Sequence, residues 1–266
     1  MKIYIFIGLF LIPGCVRSQE LYVFTEPASN MAAKSIGFRL NNFLMPDQYT
    51  LRTNYHLIPE IMVGVSKKVM LHGDVFFSNT NKKFVAEGGS IYAKYRFLSL
   101  DDVQKHFRMA AFARVSVNNG EIHQFDINIY GHNSGWEAGI VATQLLYKVA
   151  LSSTVSFVKA ENNVKIKFPG TADKALNYTL SVGKLLLPKE YKDYNQTNLN
   201  MMIESLNQLN LVSGKYYTDI APSLQLIIHS QSRVDVGYRW QVSTSYVRSE
   251  IRGLFVRLEH NIFNAY

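Results

Sequence analysis

His132 and Ser134 stand two residues apart in the stretch His132-Asn133-Ser134-Gly135. On extended backbone, side chains two positions apart point the same way. An imidazole and a hydroxyl at this spacing can therefore meet as general base and nucleophile. Asp126 and Glu137 are nearby carboxylates, but neither has a spacing that makes it the third member of a triad. The plainer reading is a polar junction where a loop enters a strand. The seven histidines, His56, His72, His106, His123, His132, His229 and His260, show no close metal-ligand spacing. His123 and His132 share one loop and are the pair that could meet at an ion, but a solvated loop is the expectation, with no metal and no cofactor. Glu87-Gly88-Gly89 lacks the Lys-Ser/Thr end of a phosphate loop and reads as a bend in a strand. The single cysteine, Cys15, lies in the leader described below, so the remainder offers no thiol nucleophile and no disulfide.

The elements that must position these residues are strands. Residues 234–246 alternate strictly: Val234, Val236, Tyr238, Trp240, Val242, Thr244 and Tyr246 on one face, Asp235, Gly237, Arg239, Gln241, Ser243 and Ser245 on the other. The same design recurs at 35–43, 49–65, 69–78, 85–97, 107–117, 151–159, 176–187, 198–209, 220–228 and 251–266. Residues 136–148 are strand-like with a muddled phase, which predicts a bulge. Pro59 cannot donate to a ladder and predicts a bend. Tight turns are expected at 66–68, 149–150 and 230–233, a short connection at 99–105 and a turn near 248–250. Longer polar loops are expected at 118–135, with a small hairpin at 125–130, and at 160–174. Residues 188–197 form a tyrosine-rich connection, and 198–209 carry some helical character. Twelve strands result.

Residues 1–18 read as a secretory signal: Lys2, an apolar run over 3–12, and Val16-Arg17-Ser18 before Gln19. A lipid attachment at Cys15 is disfavoured by Pro13 just before Gly14. Residues 19–34 have no clear period and form a lead-in; 35–266 carry the strands. The chain has a net charge of +8, yet Lys and Arg are scattered singly, so a nucleic-acid partner is not expected. No apolar run after the leader reaches the ~18–20 residues of a membrane helix.

Alternation alone does not say which face is inside. Export, an even strand number, short turns alternating with longer loops, and aromatic residues at strand ends such as Tyr49, Phe77, Phe97, Phe107, Tyr147 and Tyr246 favour lipid outside. The expected fold is an all-β transmembrane antiparallel up-and-down barrel in the outer membrane of a Gram-negative cell. Both termini should be periplasmic. Lumen candidates by parity are Arg39, Arg52, His56, Glu60, His72, Asp74, Lys94, Arg96, Arg108, Arg114, Glu204, Asp235, Arg239, Arg257 and Glu259. They can pair into a network that fills a narrow barrel, or line a mildly basic pore for anions.

Three resemblances follow from these residues. The strand 253–266, ending at Tyr266, resembles the C-terminal strand by which outer-membrane barrels meet the barrel-assembly machinery. Met62-Val63-Gly64-Val65-Ser66 and Ser90-Ile91-Tyr92-Ala93-Lys94-Tyr95-Arg96-Phe97 resemble the barrel family of phenol-degradation-pathway (MetA-pathway) transporters. That likeness implies a passive channel or transporter for a small solute, aromatic or anionic. The His132-x-Ser134 pattern resembles outer-membrane phospholipase A and lipid A deacylases, which implies lipid hydrolysis. In those families asparagine commonly follows the serine, where Gly135 stands here. A closed barrel with a structural or adhesive role is the third alternative.

Overall fold

In the computed structural model, residues 22–80, 83–103, 105–122, 124–164, 172–188 and 196–266 are described. The signal at 1–18, His123 and most of the 188–197 connection fall outside them. Lipid and a polar lumen place opposite demands on successive residues, and the chain meets them with strands of 10 to 18 residues. These are β1 (Ser35–Pro46), β2 (Thr53–Gly64), β3 (Val69–Ser78), β4 (Val85–Asp102), β5 (Lys105–Asn118), β6 (Ser134–Leu146), β7 (Val149–Glu161), β8 (Lys174–Leu187), β9 (Asn198–Asn210), β10 (Tyr216–Ile228), β11 (Ser232–Thr244) and β12 (Arg252–Ile262). Each pairs antiparallel with its sequence neighbours, and β1 pairs with β12 to close the barrel. Closure satisfies every ladder without water and leaves no edge.

The apolar parity set faces out. Phe38, Ile61, Ile91, Val115, Ile140, Val155, Leu180, Ile203, Leu224, Val236 and Leu258 are exposed and form a band around the barrel. Their neighbours in sequence face in. The two ends differ. Residues 65–68, 147–148 and 229–231 are short turns at the end where β1 begins and β12 finishes. The longer connections from β5 to β6 and from β7 to β8 join strands at the opposite end, whereas the β8–β9 connection, 188–197, joins strands at the short-turn end.

Several expectations change. The turn expected at 149–150 is made by residues 147–148, because Val149 and Ala150 already pair with Leu146 and Leu145. β4 and β5 run through most of the expected 99–105 connection, out to the Asp102–Lys105 pair. β6 has no bulge: its register is continuous against both β5 and β7. The muddled phase comes from Ala138, Gly139 and Ala142, which are small enough for either face. Pro59 makes no bulge: it pairs with Leu40 of β1, but the β2–β3 ladder is interrupted at Ile58 and Pro59, where the proline N–H is missing, and resumes in the same register. The Glu87-Gly88-Gly89 bend is real: Phe76 pairs with Gly88 and Phe77 with Ala86, which leaves Glu87 bulged. Residues 198–209 are strand. Residues 125–130 form no hairpin; Phe125 is exposed, and Asp126 to Tyr130 turn into the lumen and line its cavity.

The lead-in is inside the barrel too. Tyr22, Val23, Thr25, Ala28 and Ser29 are buried. Tyr22 and Val23 pack with Ala150, Met202, Ala221 and Phe255. Ala28 packs on Ala110 and Val141. From the other end, Ile127 and Ile129 pack on Val158, Ala160 and Ala175. The apolar clusters of the lumen are thus built where an inserted segment meets apolar wall residues, many of them alanine.

Candidate functional site

The functional space is the lumen, and its wall is a lattice of charge. Arg39 stands opposite Glu259 on one side and Glu60 on the other. Its Nε donates to Glu259 at 2.8 Å and its Nη1 reaches Glu60 at 3.4 Å and Glu26 at 2.6 Å. Arg114 donates to Asp74 at 2.8 Å and Ser90 at 2.6 Å, with its guanidinium over the rings of Tyr92 and Tyr130. Asp219 receives both Arg239 and a two-pronged Arg248 at 2.8 and 2.9 Å. These groups survive burial because each is paired and hydrogen-bonded.

Two insertions fill the space between the walls. The lead-in is held from several sides. Glu204 of β9 accepts the backbone N–H groups of Val23, Phe24 and Thr25 at 2.8 to 3.0 Å and the Thr25 hydroxyl at 2.6 Å. Lys94 of β4 donates to the carbonyls of Pro27 and Ser29. Arg257 of β12 donates to those of Tyr22 and Val23. Thr143 of β6 accepts Ala28 N–H at 2.9 Å. Glu26 is held well below the usual carboxylate range. Burial opposes its charge, but the charges of Arg39, Lys94 and His72 together outweigh it.

The β5–β6 loop descends from the other end. Gln208 bonds Ile127 on both its N–H and its carbonyl, at 2.8 and 2.7 Å. The Tyr130 hydroxyl donates to Glu60 at 3.1 Å and accepts from Asn41 at 2.7 Å. Burial first of all, then the negative charges of Glu60 and Asp74, push that phenol well above its ordinary range and keep it a donor. Between the two insertions and the wall lies a cavity of about 250 Å³. Its lining includes Phe24, Arg39, His56, Glu60, Tyr92, Tyr130, His132, Glu137, Tyr217, Arg239, Arg248, Glu250 and Arg257.

Most parity candidates point into the barrel, and six of them, Arg39, His56, Glu60, Arg114, Arg239 and Arg257, line the cavity. Arg39, His56, Glu60, His72, Asp74, Lys94, Arg108, Arg114, Glu204, Asp235, Arg257 and Glu259 are buried, and Arg239 nearly so. Two are exceptions. Arg52 lies in the 47–52 turn, before β2 begins, and is exposed. Arg96 sits at the short-turn rim and donates to the Lys67 carbonyl rather than into the lumen. Parity reasoning missed Glu26, Asp126, Glu137, Asp219, Arg233, Arg248 and Glu250. Glu26, Asp126, Arg248 and Glu250 lie outside the strands, where no period exists to flag them; Asp219 and Arg233 fall at strand ends drawn too short, and Glu137 lies in β6, whose phase is blurred by small residues.

The residues of the candidate hydrolase pair serve different neighbours. Ser134 Oγ accepts from Asn118 N–H at 2.8 Å and donates to Asn118 O at 3.2 Å. His132 is turned to His56 and Glu250: the imidazole rings are 4.8 Å apart and His132 Nε2 is 3.9 Å from Glu250. Gly135 has φ +140°, and a Cβ there would strike the carbonyl of Lys159. The asparagine of the lipid hydrolases has no room at this position. Asp126 belongs to the Arg248 cluster, and Glu137 accepts from Ser156.

Closed antiparallel walls with an apolar exterior and a charged interior define a porin-like outer-membrane β-barrel fold. Among solved structures, the NanC porin is similar to this chain with a TM-score of 0.51 and 11% identity, covering 86% of this chain and 98% of that one. OmpF of Salmonella typhi gives a TM-score of 0.38 at 10% identity, over 86% and 96% of the two chains. An anion-selective porin from Comamonas acidovorans gives 0.35 at 6%, over 86% and 98%. No family model matches the sequence, the phenol-pathway transporter family included, and no curated protein matches it.

Proposed function

We propose that this chain is an outer-membrane barrel that lets a small solute cross, and that its own N-terminal segment holds the lumen shut at rest. The observation that carries this reading is the path of residues 22–29, which cross the lumen bonded to β4, β6, β9 and β12. A purely structural barrel has no need of a central cavity lined by paired charges and aromatic rings. The short-turn end, where β1 begins and β12 finishes, corresponds in this reading to the periplasmic end of such barrels, so the segment enters from the periplasm and the β5–β6 loop from outside.

Arginines and carboxylates are balanced around the cavity, with aromatic faces between them. That lining suits a small polar or zwitterionic solute with an aromatic or apolar part better than a simple anion. Swelling of liposomes holding the refolded protein tests the reading. The chain from Gln19 onward should admit small amino acids and sugars slowly, and the same chain lacking residues 22–30 should admit them fast. Equal rates in the two would overturn it.

A further inference from the structure

We propose that His56, His132 and Glu250 form a binding site for a divalent transition-metal ion at the long-loop mouth of the lumen. The three come from different places: β2, the β5–β6 loop and the β11–β12 connection. They lie 76 and 118 residues apart in sequence, yet one ligand atom from each falls within 4.8 Å of the others. His56 Nε2 is 2.9 Å from Glu250 Oε1, and His132 Nε2 is 3.9 Å from Glu250 Oε2. Ligand atoms around a tetrahedral zinc ion stand roughly 3.3 Å apart, given bond lengths of ~2.0–2.1 Å. These separations bracket that value, so small side-chain rotations bring all three onto one ion.

Two imidazoles and one carboxylate are a donor set of zinc and related first-row ions. The surroundings fit as well. Asn54 Nδ2 donates to Glu250 Oε1 at 2.8 Å and orients the carboxylate, as outer partners of metal ligands do. His56 and Glu250 are buried, and all three ligands line the cavity. The cavity that they border leaves room for water or a donor atom of the solute as a further ligand. A second grouping, Glu26, Glu60 and His72, is different, because Arg39 and Lys94 already stand against its carboxylates.

An ion here would tie the inserted 119–133 loop to the wall of β2. The inference is independent of the channel reading, because binding is scored without conductance or transport. The full chain from Gln19, refolded in detergent and stripped with chelator, is titrated with Zn²⁺ by calorimetry and with Co²⁺ by visible absorption. Expected are one equivalent of Zn²⁺ and the ligand-field bands of four- or five-coordinate Co²⁺. His132→Gln and Glu250→Gln should each weaken binding at least tenfold, whereas His72→Gln should leave it unchanged. Heat-modifiable gel migration verifies that each barrel is folded. An unaltered chain that takes up no Zn²⁺ and gives no Co²⁺ bands would overturn the proposal. So would folded His132→Gln and Glu250→Gln variants that bind as tightly as the parent.

Discussion

Glu204 Oε2 accepts both the backbone N–H of Thr25, at 3.0 Å, and its hydroxyl, at 2.6 Å. One fully buried carboxylate on β9 thereby anchors a segment about 180 residues away in sequence. Charge-assisted bonds of this kind contribute roughly 1.5–3 kcal/mol each, with strong overlap among bonds to one group. Glu204→Ala should cost the docked segment on the order of 3 kcal/mol. Protease added to the refolded protein should then cut within residues 22–34 while the barrel itself stays folded; continued protection would count against the anchor.

Docking should respond to acid through Glu26. Its carboxyl in the docked state is held well below the usual range, since Arg39, Lys94 and His72 outweigh the effect of burial. A depressed folded-state pKa contributes stability that is fully present above the free value, about 4.3, and lost as pH falls through the docked value. Protection of residues 22–34 should therefore hold from neutral pH to about 5 and fail in stronger acid. Glu26→Gln should weaken docking at neutral pH and flatten that dependence; an unchanged acid profile would refute the assignment.

Arg39 ties β1 to β2, β12 and the lead-in at once. Replacing it by leucine leaves Glu60 and Glu259 buried without their shared partner. Removal of one member of a buried ion cluster typically costs 3–5 kcal/mol. The urea midpoint of the barrel in detergent should fall accordingly, and a midpoint within error of the parent would contradict the network.

Ile203 and Met202 are adjacent on β9 and face opposite ways, one half-exposed and one fully buried. Ile203→Arg at mid-strand should destabilise the bilayer-inserted form by roughly 2–4 kcal/mol yet be nearly silent if water bathes that face. Refolding yield into lipid vesicles distinguishes the two.

Ser134→Ala tests the hydrolytic alternative. The hydroxyl's contacts with Asn118 predict a loss of roughly 1–2 kcal/mol in stability and no change in turnover of added phospholipid. Hydrolysis by the parent that disappears in Ser134→Ala would restore the enzyme reading.

The barrel itself was legible in the sequence. Lipid and lumen impose opposite polarity on residues such as Asp235 and Val236, so strand existence and facing followed from a period of two. Where residues are small, as at Ala138, Gly139 and Ala142, polarity says nothing and the phase blurred. Parity also failed at Arg52, where it was carried past the start of β2. The plug was invisible, because residues 22–34 have no period and are held largely through their own backbone groups: Glu204 reads a run of N–H groups and Lys94 a pair of carbonyls, not side-chain types. The His56–His132–Glu250 grouping was hidden for another reason. Its members meet only after the barrel has closed and the 119–133 loop has turned inward, so no local spacing announces it.

The central claim is that the N-terminal segment closes the lumen. Thr25 Oγ1 and Ser181 Oγ are 2.9 Å apart, the segment on one side and β8 on the other. Thr25→Cys with Ser181→Cys, in a chain starting at Gln19 and thus without other cysteines, places a reversible lock at that contact. Single-channel recording in a planar bilayer then compares the oxidised and reduced forms. Openings in the reduced protein that vanish on oxidation and return with reductant are the predicted result. Identical traces in the two forms, conducting or silent, would contradict it.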